Sequence, residues 1–189
     1  EGTVNFPYLS DGMWFLTRPG SVIHFERGMD LKPDFTIIRS LFRLGLPTGV
    51  QPVSGFQAER YLGTWYEIAR LDHGFERGMS RVTAEYRRRD DGGIEVINRG
   101  YLADSKTWKE ARGKAYFVGS PDIGHLKVSF FGPFYGSYGV FDLDQKDYRY
   151  ALVSGPDTSY LWLLARSPTL DAATRDRLVA RAAAAGFDT

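Results

Sequence analysis

The chain has 189 residues, 43% hydrophobic and 25% charged, with a formal net charge of +1 at pH 7 and no cysteine. That length holds one domain of ordinary size plus an appendage, and the composition excludes a disordered chain. The near-neutral charge offers no clustered basic face for a nucleic-acid partner, and the missing cysteine removes disulfides, thiol nucleophiles and thiolate metal sites.

Residues 1–47 read as an N-terminal extension. GMWFLTR and SVIHFER, around Pro19-Gly20, suit a hairpin over residues 13–27. Phe35–Leu44 has its polar residues, Thr36, Arg39, Ser40 and Arg43, at helical spacing, which leaves Phe35, Ile38, Leu41 and Phe42 on an apolar face with a basic rim. Such a helix has three destinations: a membrane surface, a protein partner, or the chain's own barrel. Residues 48–55, with Pro52 between Gly49 and Gly55, read as a linker to a domain at 56–189. No apolar stretch approaches the ~20 residues that cross a bilayer as a helix.

From Tyr61 to Leu164 the chain breaks into short alternating or β-branched and aromatic runs, at the spacing of an all-β sandwich or barrel. Asp90-Asp91-Gly92-Gly93 is the clearest hairpin turn, because glycine supplies the positive φ that tight turns require. Eight strands are expected, at Thr64–Leu71, Arg81–Arg89, Ile94–Leu102, Trp108–Val118, His125–Phe130, Gly136–Leu143, Tyr148–Ser154 and Tyr160–Arg166. The run Arg87-Arg88-Arg89 then falls at a solvated strand end. A helix follows, with Thr169 as its N-cap, Gly186 beyond its C-terminus, and an apolar stripe of Leu170, Ala173, Leu178, Ala182 and Ala185. Consecutive hairpin-linked strands followed by one packed helix make an all-β fold: an eight-stranded antiparallel up-and-down barrel with the helix outside.

Gly63-Thr64-Trp65 opens the first strand, and Arg166 ends the last. With Gly113–Phe117, Leu126–Gly136, Tyr150–Val153 and Gly155-Pro156-Asp157, these residues resemble the lipocalin family over Val50–Asp188. The likeness is to its bacterial outer-membrane branch, shared with plant temperature-induced lipocalins and apolipoprotein D. The resemblance implies that Arg166 lies across the Trp65 indole and that Gly63, Trp65 and Arg166 close the barrel floor. It also implies a bacterial cell-envelope location, in the periplasm or at the outer membrane, and a small hydrophobic ligand, a fatty acid or lysophospholipid, that is stored or transported rather than turned over. Tyr135 matches a ligand-contacting position of the branch. Members of the branch carry a leader ending in a lipidated cysteine and a short strand after the helix. Here residues 1–47 stand before the barrel, and their hairpin is expected to take the place of that strand.

Strand alternation then assigns the wall. With Trp65 and Arg166 setting the parity, Trp162 and Leu164 face inward, as do Val82, Ala84, Tyr86, Val96, Asn98, Ala115, Phe117, Leu126, Val128 and Phe130. Phe75, in the loop over the mouth, is a further ligand contact. Glu67 shares the parity of Trp65 and needs a buried partner, with Arg166 or a tyrosine hydroxyl the options. An enzyme reading would rest on Glu67 or on tyrosines, although no catalytic residue is assigned. His24, His73 and His125 are scattered without ligand spacing, so neither a metal nor a cofactor is expected. An interaction protein that docks a partner through residues 1–47 is the alternative function, and a homodimer is left open.

Overall fold

The computed structural model describes residues 42–72, 76–131 and 134–189. The strands are β1 (Phe42–Arg43), β2 (Gly63–Arg70), β3 (Met79–Arg88), β4 (Ile94–Leu102), β5 (Thr107–Phe117), β6 (His125–Phe131), β7 (Phe134–Leu143), β8 (Tyr150–Ser154) and β9 (Leu161–Ala165). A single turn, α1 (Ala58–Tyr61), precedes β2, and α2 (Ala172–Ala184) follows β9. Each strand from β2 to β8 pairs antiparallel with its successor, and β9 pairs back onto β2. The eight strands β2–β9 therefore close into an up-and-down barrel with no free edge along the ring.

Local chemistry fixes the turns. Gly92 adopts φ +81° between β3 and β4, and the Asp91 carboxylate accepts from the Gly93 amide at 3.0 Å, so the hairpin register is set by its own side chain. The neighbouring arginines pair in solvent, Arg87 with Glu85 and Arg89 with Asp91, both at 2.7 Å.

Two cores result, one on each face of the sheet. The inner one gathers Trp65, Tyr86, Val96, Ala115, Leu126 and Leu164. The outer one, Phe141, Leu152, Leu161 and Leu163, is covered by Leu178, Ala182, Ala185 and Phe187. The helix starts two residues later than expected. Asp171, not Thr169, is the N-cap, because its carboxylate accepts the Thr174 amide at 2.9 Å. Gly186 takes the expected left-handed turn at φ +94°. Ala173 does not belong to the apolar stripe, since it lies exposed in the first turn.

The expected linker is not loose. Val50 is buried in the outer core, the Val53 amide donates to Val140 at 2.8 Å, and Ser54 bridges Ile123. Gly49 packs so tightly on the Ala185 backbone that a Cβ would collide with it.

The expected helix over Phe35–Leu44 needs correction at its end, while its residues 35–41 lie outside the described residues. Phe42 and Arg43 form a strand parallel to β7 at Tyr135 and Gly136. β7 pairs with β8 only from Gly139 onward, so its first residues present unpaired backbone, which an extended segment satisfies and a helix cannot. The expected hairpin at residues 13–27 lies outside the described residues.

Candidate functional site

One end of the barrel is sealed by aromatic packing that begins at Gly63. Its φ of +93° turns the chain from α1 into β2, and Trp65 then points inward and is fully buried. The indole N–H donates to the Tyr61 carbonyl at 2.8 Å. The Arg166 guanidinium lies over the indole, 4.1 Å from the ring centroid, and donates to the carbonyls of Arg60 (2.7 Å), Leu62 (2.8 Å) and Thr64 (3.0 Å). One arginine therefore caps the indole and ties down the segment that enters the first strand. The expected trio of Gly63, Trp65 and Arg166 comes together.

The sequence reading missed the second layer of this floor. Tyr61 packs 4.7 Å from Trp65 and 5.2 Å from Tyr86, measured between ring centroids, and Phe56 lies 5.1 Å from Tyr61. Three phenols form a buried chain, Tyr61 to Tyr138 at 2.8 Å and Tyr138 to Tyr86 at 2.7 Å. Burial, the largest cause, pushes all three hydroxyls above the usual phenol range, so they remain neutral.

Above the floor the barrel is hollow. The space in which centres of water-sized atoms fit is about 80 Å³, where one water needs ~10–15 Å³, so the protein's own side chains do not fill the interior. Its wall includes Val82, Ala84, Tyr86, Val96, Asn98, Val128, Phe130, Trp162 and Leu164, all expected to face inward. Gly136 also lines it, and a Cβ built there meets nothing within 4 Å.

Ala115, Phe117 and Leu126 face inward too, but below the hollow. Phe117 packs edge-on to Phe56 at 6.0 Å, in the floor rather than the cavity wall. Tyr135 stands on the outside. Its ring lies 5.2 Å from the Lys127 ammonium and 6.4 Å from Tyr116, because inward Gly136 and Tyr138 alternate with it on β7. Tyr138 is the tyrosine that this strand turns inward. Phe75 lies outside the described residues.

Toward the other end, the wall carries charge. Glu67 lines the cavity with its side chain 6% exposed, and its partner is Arg70, not Arg166 or a tyrosine. A regular strand would put residues 67 and 70 on opposite faces. The register shift between Glu67 and Ala69 inserts one residue, and the two side chains meet on the same face. Glu76, which precedes β3, is buried beside them and accepts from the Trp162 indole N–H at 3.0 Å. Burial, reinforced by the neighbouring Glu67 charge, pushes its carboxyl up to about 7, and burial also raises Glu67. No pattern in the sequence marks Glu76 or Arg70, since a bulge and a loop bring them in. Among the described residues no group of His, Cys, Asp and Glu could hold a metal ion, and no helix is long and apolar enough to cross a membrane.

A lipocalin-like domain model matches residues 56–189, the span of the closed ring, its floor and its helix. The chain belongs to the lipocalin family. This lipocalin is 61% identical over 146 residues to the outer membrane lipoprotein Blc of Vibrio cholerae, covering 77% of this chain and 85% of that one. It is 57% identical to the Escherichia coli K12 protein of the same name, covering 75% and 80% of the two chains. Likeness extends to temperature-induced lipocalin-1 of Arabidopsis thaliana (34% identical, 74% and 78% covered) and apolipoprotein D of Macaca fascicularis (33%, 72% and 75%). Insecticyanin of the tobacco hornworm Manduca sexta shares the fold, with a TM-score of 0.55 at 23% identity over 72% of this chain and 77% of that one.

Proposed function

We propose that this lipocalin binds a single-chain lipid, a fatty acid or a lysophospholipid, in its barrel cavity and stores or carries it without chemical change. Its place is the bacterial cell envelope, the location named for its relatives in Vibrio and Escherichia. The observation that carries the reading is the hollow itself, sealed at one end by Trp65 under Arg166 and walled largely by Val82, Val96, Val128 and Leu164. Each methylene taken from water into such a wall contributes ~0.8 kcal/mol, so an acyl chain supplies the affinity and the polar residues choose the head. The partner-docking alternative rests on residues 1–47, of which residues 1–41 lie outside the described residues.

The test is saturable binding of a fluorescent fatty acid and its displacement by lysophospholipid. The expected result is one site per chain with competition between the two lipids. Absence of saturable binding by either would overturn the reading.

A further inference from the structure

Among the described residues, the charged groups on the cavity wall are acceptors. Glu67 and Glu76 both line the cavity, whereas Arg70, the cation beside them, contributes nothing to its lining. Two of its nitrogens are engaged: one bonds a single oxygen of Glu67, and another donates to the carbonyls of Glu76 (2.9 Å) and Met79 (3.2 Å). Its Nε–H is buried without a partner among the described residues, away from the cavity surface. Glu67 Oε2 makes no hydrogen bond among the described residues, although the side chain is 6% exposed. A largely buried carboxylate side chain thus borders the cavity, with one oxygen that accepts no hydrogen bond among the described residues.

We infer that the cavity selects a single-chain lipid whose polar head donates hydrogen bonds, a hydroxyl or an ammonium, over one ending in a free carboxylate, and that Glu67 makes the selection. The inference rests on the cavity being the lipid site. A donating head satisfies Glu67 Oε2 while the chain runs down toward Trp65. A carboxylate head would instead meet two carboxyl groups, with no cation among the described residues of the cavity wall to receive it.

The test uses three ligands of equal chain length, dodecylamine, dodecanol and dodecanoate, competing at pH 8 with diphenylhexatriene, an uncharged hydrocarbon fluorophore. The amine is expected to displace the fluorophore at a concentration at least about tenfold lower than dodecanoate, with the alcohol between them, since like-charge contact is costly. In Glu67→Gln the gap between amine and carboxylate closes by at least about threefold, through loss of the buried charge. A wild-type order with dodecanoate equal or best overturns the inference, and so does a gap unchanged in a folded Glu67→Gln. If that variant does not fold, the wild-type order decides alone. Displacement by all three ligands in the wrong order sinks the selection but leaves the lipid site standing. Displacement by none sinks both.

Discussion

The Arg166 guanidinium sits 4.1 Å from the centre of the Trp65 indole and holds three carbonyls of the chain that leads into β2. A planar fork is needed for this, because one side chain must stack on a ring and donate to three oxygens together. Arg166→Ala is expected to cost roughly 2–4 kcal/mol, the sum of a cation–π contact and charged hydrogen bonds. Arg166→Lys should recover less than half. Urea denaturation reads both losses, and a lysine variant as stable as wild type would contradict the role assigned to the fork.

The phenol chain makes a sharper prediction. Tyr138 stands between Tyr61 and Tyr86, so Tyr138→Phe strands two buried hydroxyls at once. Unsatisfied buried groups cost about 1–3 kcal/mol each. Tyr61→Phe, which removes an end of the chain, strands none of the others completely and should cost less. Equal losses in the two variants would mean that the chain carries no stability of its own.

Gly136 allows the hollow to be filled without disturbing its frame. A Cβ there meets nothing within 4 Å, and the residue lines the cavity. Gly136→Phe is expected to abolish saturable lipid binding while the melting temperature stays within about 4 °C, near ~1 kcal/mol for a chain of this size. Undiminished binding in that variant would place the lipid elsewhere.

Glu76 gives stability a pH dependence of unusual sign. Its folded carboxyl titrates at about 7 against 4.5 for the free group, so the native state holds the proton more tightly than the unfolded chain. Stability is therefore expected to fall as pH rises through the window from 4.5 to about 7, and to level off above it. Glu67 is raised as well and steepens the fall, whereas Glu85, Asp144 and Asp171 are lowered and act in the opposite sense, losing stability only at more acid pH. Thermal melts across this range should flatten in Glu76→Gln. A wild-type melting temperature that rises with pH over the window would contradict the assignment.

The barrel was legible because its signals are local. Alternation from Val82 to Tyr86 and from Val96 to Asn98, together with turns such as Asp90–Gly93, fix faces and register without knowledge of the rest. What escaped depends on contacts between distant segments. Phe42 and Arg43 carry a helical pattern, but the edge that β7 leaves open beyond β8 makes them a strand. Tyr135, taken by resemblance as a ligand contact, is turned outward by its place beside Gly136. Arg70 reaches Glu67 only through a bulge that strict alternation does not foresee, and Glu76 comes from a loop.

The most direct measurement is quenching of tryptophan emission by a lysophospholipid brominated along its chain, with the unbrominated lipid as control. Trp162 lines the hollow and Trp65 lies fully buried in the floor beneath it, so a chain inside the barrel lies against Trp162. The account predicts quenching that saturates at one lipid per barrel, loses a large part in Trp162→Phe and vanishes in Gly136→Phe. Quenching that grows linearly with lipid, or that survives unchanged in both variants, would contradict it.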